Sequence, residues 1–403
     1  MPLVNRCNVT VRRRSLVLRL MVLPLLLLST VPVNLRAQPA DVDAKHVKVY
    51  YEPGRFGGWP ANHGIWSWGN EILVGFGRGY HKDLGNSHNI DRERPEDHLL
   101  ARSLDGGETW SIEDPSRNGD LIPAGDHMFG TLRPGIEVPP ANNCPGGIDF
   151  THPDFAMTLR MFGEKTGHSW LFYSYDRGRH WQGPFEIPII GTPGIEARTN
   201  YIVNGKHDCT LFLSTTSMAH IDGKGIGKRS VCARTTDGGK SWRLISWIGP
   251  PLAGNAIMPT AARLSETDIV CVLRRRDRPK AWLAAFSSQD NGASWQRLAH
   301  PVSDTGVGNP ASLIKLDDSR LCVTYGVRAA PYRMCAKLSN DGGKSWCDEV
   351  VLRDDGASHD MGYPRSVQRP DGKVVTIYYF CDDRTGAERY IAATIWDPDS
   401  ISQ

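Results

Sequence analysis

Membrane-spanning length is missing from this 403-residue chain. Its N-terminal apolar run, Leu20 to Val31 with an LPLLLL core, falls short of the roughly 18 residues that a span requires. Arg12, Arg13, Arg14 and Arg19 precede the run and Leu35-Arg36-Ala37 follows it, the pattern of an export signal cleaved near Ala37. The expected division is therefore residues 1–37 as a signal segment and 38–403 as the mature domain, secreted or periplasmic. The Arg-Arg-Arg-Ser-Leu order also resembles a twin-arginine signal, beside the simpler reading of an ordinary secretory one. A charge excess is missing as well. Lys and Arg number 47 against 44 Asp and Glu, and removing Arg6, Arg12, Arg13, Arg14, Arg19 and Arg36 turns the net +3 into −3. That balance argues against nucleic acid as a partner. No CxxC pair occurs, so a zinc site is not expected. Once Cys7 leaves with the signal, eight cysteines remain. Bridges Cys209–Cys232 and Cys322–Cys335 stay open on consecutive predicted strands, with free buried thiols the favoured state. No linker or low-complexity stretch divides the mature chain.

What is present is a repeat. SLDGGETW (Ser103 to Trp110), SYDRGRHW (Ser174 to Trp181), TTDGGKSW (Thr235 to Trp242), SSQDNGASW (Ser287 to Trp295) and SNDGGKSW (Ser339 to Trp346) are five versions of one segment. Their aspartates Asp105, Asp176, Asp237, Asp290 and Asp341 stand 71, 61, 53 and 51 residues apart, a period that fits one small sheet per repeat. Asp followed by Gly or Asn-Gly is tight-turn chemistry: the carboxylate accepts backbone N–H groups and Gly supplies φ > 0. The Trp then starts the returning strand.

Apolar runs around each box give four strands per unit. In the fourth repeat these are Ala261 to Leu264, Asp268 to Leu273, Ala281 to Ser287 and Trp295 to Leu298. First strands start near Asn62-His63-Gly64, His152-Pro153-Asp154, Arg198-Thr199-Asn200, Met258-Pro259-Thr260, Gly308-Asn309-Pro310 and Gly362-Tyr363-Pro364. Six starts and five boxes predict a sixth, boxless blade, with His46 to Tyr51 (HVKVYY) supplying its last strand and closing the ring. The fold class is thus all-β. Long insertions at 79–99 and 111–150, rich in Gly, Pro, Asp and His, have the length of functional loops.

The box pattern resembles the Asp-box, or BNR repeat, of the sialidase superfamily, which implies a six-bladed β-propeller of four-stranded antiparallel sheets covering about Val47 to Trp396. In a propeller the leading ends of the inner strands converge on one mouth. The candidate ring is therefore His63, His152, Asp154, Arg198, Asn200, Asn309, Tyr363 and Arg365.

The same resemblance implies a glycoside hydrolase of the exo-sialidase type. Gly362-Tyr363-Pro364-Arg365, followed by Pro370-Asp371-Gly372, matches the placement of the family's nucleophilic Tyr, so Tyr363 is the expected nucleophile or charge stabiliser. A phenolate suits attack at an anomeric centre beside a carboxylate, where Asp or Glu would be repelled. Arginines that grip the sugar carboxylate have counterparts in Arg276, at the end of Arg274-Arg275-Arg276, and in Arg333 and Arg328. Gly77-Arg78 followed by Asp83 resembles the family's first-blade Arg and its acid/base, in a loop that also carries His81, His88, Asp91 and Glu93. Two family features are missing. Trp59-Pro60-Ala61-Asn62-His63 has no Arg where the family opens its first blade, and GNAIMPT (Gly254 to Thr260) has no Glu to partner the Tyr.

The expected ligand is a terminal acidic sugar on a glycan, acted on by a monomer with no cofactor, no metal and no membrane span. Two alternatives stay open: a propeller polysaccharide lyase abstracting a proton beside a uronate carboxylate, and a non-catalytic glycan-binding propeller.

Overall fold

The computed structural model describes residues 40–85, 87–123, 131–163, 167–216 and 227–401, and the predicted export segment lies outside them. Pro39–Gln403 forms one compact unit. Six small antiparallel sheets make a six-bladed β-propeller. In the fourth blade Asn255–Arg263, Ile269–Asp277, Lys280–Ser288 and Gln296–Arg297 follow in order, longer at the mouth end than the apolar runs alone because the Arg-rich end stays in the ladder. The predicted ring closure is present. Ala44–Tyr50 pairs antiparallel with Tyr390–Trp396, Val47 opposite Ala393, and completes the blade of Gly362–Gln368 and Val374–Phe380.

The second blade departs from the four-strand rule. Its described sheet has three strands, Ala156–Met161, Ser169–Ser174 and Gln182–Ile187. The expected first-strand start, His152-Pro153-Asp154, leads instead into the blade's second strand, Ala156–Met161, and the insertion before it runs elsewhere: Asn142 bridges to Phe185 on the outermost strand, and Gly147 and Ile148 donate to the third blade's box turn at Asp237 and Gly238.

All five box turns share one hydrogen-bond pattern. Asp105 Oδ1 accepts from the Ser103 hydroxyl at 2.8 Å and the Thr109 N–H at 2.9 Å, and Asp341 Oδ1 accepts from Ser339 and the Ser345 N–H, both at 2.9 Å. The turns wedge onto the preceding blade: Trp295 packs on Phe212 of the third blade, and Gly178 sits against Leu73 of the first. Slight burial raises the Asp341 pKa, but bonds from Ser345 and Ser339 outweigh it and hold the carboxyl at about 2. Such a depressed group stabilises the fold fully above about pH 4, and the contribution is lost as pH falls toward 2. Asp341→Ala is expected to cost about 0.5–2 kcal/mol, nearer the lower end for so exposed a turn, with the deficit shrinking below pH 4. Denaturant titrations at pH 7 and pH 3 check this, and turnover per folded molecule should stay at the wild-type value.

Cys144, Cys209, Cys232, Cys271, Cys322, Cys335, Cys347 and Cys381 are all free. Register explains why neither open pairing forms. Cys209 stands opposite Thr235 while Cys232 stands opposite Phe212, and Cys322 opposite Leu338 while Cys335 stands opposite Tyr325, three residues out of step in both hairpins.

Candidate active site

Three first strands use one local device to aim a side chain at the mouth. Trp59, Met258 and Tyr363 each precede a proline and adopt left-handed backbone, with φ of 60°, 55° and 52°. Non-glycine residues rarely adopt this conformation, and it clusters at functional sites. At Met258 and Tyr363 the ladder register shifts, between Ile257 and Thr260 and between Gly362 and Arg365, so the strand bulges and turns a residue out of the pleat. Asn309 fixes the Tyr363 bulge: its Oδ1 accepts from the Tyr363 N–H at 3.0 Å and its Nδ2 donates to the Met361 carbonyl at 2.9 Å. Gly362, at φ 102°, has no room for a side chain, since a Cβ would lie 2.0 Å from Asn309 Nδ2.

Tyr363 is 8% exposed. Arg274 Nη1 donates to its hydroxyl at 3.2 Å, and the Arg328 guanidinium lies 5.3 Å from its ring centre. Burial by itself raises the phenol pKa, yet Arg274, Arg328 and Arg198 together bring it below the usual value. Strand alternation places Arg274 and Arg276 on the mouth side of Ile269–Asp277, and Arg275 on the other, where it donates to the Ala253 carbonyl and lies over Trp282.

Tyr363 stands between two adjoining cavities that share His88. One, of about 610 Å³, is lined by Arg274, Arg276, Arg328, Tyr332, His359 and Asp360 among others. The other, of about 220 Å³, holds Trp59, Asn62, His63, Arg92, Glu96, His98, Arg160, Arg198 and Tyr363. His88, Arg92 and Glu96 come from the predicted loop at 79–99.

Asp360, 1% exposed, organises the rim. Its Oδ1 lies 2.6 Å from His88 Nδ1 and accepts from the Tyr379 hydroxyl at 2.6 Å, its Oδ2 accepts from the Asn89 N–H at 3.3 Å, and Arg389 Nε lies 3.5 Å away. Burial raises the Asp360 pKa, but His88, Arg328 and Arg389 outweigh it and hold the carboxyl well below the usual range. An ionised Asp360 can only accept, so His88 Nδ1 carries the hydrogen and Nε2 is the nitrogen left for chemistry. Glu96, 2% exposed, shows the opposite balance: burial raises its pKa to about 7 against the pull of Arg92, 3.3 Å away.

The profile of the BNR repeat-like domain matches residues 154–376, more than half of the chain. The chain belongs to this family. No curated protein matches this BNR repeat protein. Among solved structures, a protein of unknown function from Dyadobacter fermentans aligns at TM-score 0.65 and 19% identity, covering 88% of this chain and 99% of that one. The NanB sialidase of Streptococcus pneumoniae aligns at 0.54 and 11%, covering 88% and 71%. An α-L-arabinanase of Penicillium chrysogenum, complexed with arabinobiose, aligns at 0.57 and 13%, covering 89% and 99%. At these identities the likeness is one of fold.

The structure brings Tyr363, Arg276, Arg328, His63 and Arg198 together at the mouth and separates the other candidates from it. Asp83 is exposed on its loop and accepts from the Gly85 N–H at 3.0 Å, outside both cavity linings. Arg78 is taken up by Asp97 at 2.6 Å, and Arg333 by Glu349 at 2.8 Å. Arg365 is buried in the central channel below the mouth, donating to the carbonyls of Ala61 and Thr199. His152 and Asp154 lie at the opposite face. Their strand is second in the antiparallel order, so it starts at the box end, where Asp154 pairs with Arg177 at 2.6 Å. The residues that composition did not single out are Arg274, Asp360, Glu96, Arg92, His98 and Arg160. Alternation along Arg274-Arg275-Arg276 is the one sequence signal for Arg274, and His88 was visible only as one polar residue of a long loop.

Proposed function

We propose that this BNR repeat protein is an exported glycoside hydrolase that removes a terminal acidic sugar from a glycan. The observation that carries the reading is the Tyr363 hydroxyl bonded to Arg274, with Arg328 over its ring, in a mouth dominated by arginines. Arg274, Arg276 and Arg328 take the sugar carboxylate, for which planar guanidinium groups are suited. They also favour the phenolate of Tyr363, the work that the absent Glu partner does in sialidases. Glu96, protonated below about pH 7, is the general acid in place of Asp83.

The steps balance without a cofactor. The Tyr363 phenolate attacks the anomeric carbon as the bond to the leaving oxygen breaks, and Glu96 gives that oxygen its proton. Water then attacks the aryl glycoside, Glu96 takes the water's proton, and the phenolate is released. Because the Glu96 pKa is raised, the competent acid is present below about pH 7 and activity falls as pH rises through that value. Glu96→Gln is expected to lower kcat about 10²-fold and to remove this alkaline limb, read from kcat–pH profiles of both proteins.

A second reading is supported by His88, whose Nε2 stands free beside Tyr363: proton abstraction next to a uronate carboxylate, as in a lyase. Incubation with sialosides and with uronate-containing polysaccharides separates the readings. New reducing ends without unsaturated-uronate absorbance support hydrolysis, and new absorbance supports the lyase. Binding without product supports a glycan-binding propeller.

A further inference from the structure

Arg160 is the charge in the mouth that this chemistry leaves unused. It projects from Ala156–Met161 into the smaller cavity and is 7% exposed. Its partners are neutral. Nε donates to the Thr158 hydroxyl at 2.8 Å, and Nη1 contacts Nδ1 of His63 and, at 2.9 Å, Nδ1 of His98. Burial and the neighbouring Arg160 charge hold both histidines well below their usual pKa, so they present lone pairs rather than charges. Arg160 Nη2 is buried with no partner, and among the described residues no carboxylate lies within 4.0 Å of the guanidinium. Burial lowers the Arg160 pKa only to about 9, so the group is a cation at neutral pH.

A buried cation without a counter-charge is costly, and such groups are normally paired. Here the residue lines a cavity and, among the described residues, no carboxylate lies against its guanidinium group. Arg92 and Arg198 line the same cavity and are already engaged, with Glu96 at 3.3 Å and Glu196 at 3.8 Å. The mouth therefore has two separate cationic sides. Arg274, Arg276 and Arg328 line one cavity, Arg160 lies in the other, and Tyr363 stands between them.

We propose that Arg160 is a second anion subsite, and that the substrate is a glycan with acidic groups on both sugars flanking the cleaved linkage. This rests on the hydrolase reading above. Glu96 lines the Arg160 cavity, so the leaving sugar occupies that side and carries the second carboxylate or sulfate, while the terminal acidic sugar occupies the Arg274 side.

The test is calorimetric binding to the Tyr363→Phe protein, which prevents turnover. Two probes are used: a disaccharide of two uronic acids, and the same disaccharide with the carboxyl of its reducing-end sugar reduced to an alcohol. The diacid is expected to bind at least about tenfold more tightly, the range for a hydrogen bond to a charged group. Adding Arg160→Gln should abolish that preference. Equal binding of the two probes would overturn the second subsite while leaving the acidic-sugar reading standing, as would a preference that survives Arg160→Gln. Failure of both probes to bind would overturn the second subsite for a uronic diacid, while the sialoside incubation above decides the acidic-sugar reading separately. Should Arg160→Gln not fold, the preference in the Tyr363→Phe protein decides alone.

Discussion

Tyr363→Phe is expected to lower kcat by about 10³-fold or more while KM and the fold stay close to wild type. The phenyl ring keeps its edge contacts with Tyr379, at 5.9 Å between centres, and with His88, at 6.5 Å. Phe meets the same backbone demand at φ 52° as Tyr does, and Asn309 still holds the Tyr363 N–H. Only the hydroxyl goes, and with it the acceptor of the Arg274 bond. Losing that bond is worth about 1–2 kcal/mol of stability at most. Steady-state kinetics with the best substrate of the panel, alongside thermal unfolding, would show both effects. Wild-type turnover in this variant would remove Tyr363 from the chemistry.

Asp360→Ala has the largest expected effect on stability. Asp360 takes bonds from His88, Tyr379 and Asn89, and its carboxylate lies 3.5 Å from Arg389 and 3.9 Å from Arg328. Removing it strands two buried guanidinium groups, 0% and 6% exposed at the side chain, and the expected cost is about 3–5 kcal/mol. The pH dependence has a defined sign. The folded pKa lies below the unfolded value of about 3.9, so the carboxylate's contribution is complete above that pH and is lost as pH falls through the folded pKa. The stability gap between wild type and Asp360→Ala should therefore be widest near neutrality and close below pH 4, as measured by urea unfolding across that range. A gap independent of pH would assign the effect to packing.

The ring was legible because its repeat is local chemistry: Asp, Ser or Thr and Gly satisfy one another within a few residues, wherever the blade sits. The closing strand was legible from the count of starts and boxes. The second blade was misjudged because its missing strand depends on where a long insertion travels, which local pattern does not record. Site residues divide in the same way. The placement of Tyr363 at the mouth is legible from its position at a first-strand start, and that of Arg276 and Arg328 from their position at strand ends. Arg333 differs, since across the hairpin, opposite Val327, its side chain meets Glu349 instead. His88 and Asp360 are 272 residues apart, and Arg160 and His63 are 97 apart. Contacts of that separation exist only once the blades have closed.

The most direct measurement is covalent trapping. An activated fluorinated glycosyl donor bearing a carboxylate slows release of a glycosyl enzyme, and mass spectrometry of the digest then locates the label. The account predicts one added glycosyl unit on the peptide Asp354–Arg365, absent from the Tyr363→Phe protein. A label on any other peptide, or hydrolysis of the donor with no trapped species, would contradict Tyr363 as the nucleophile.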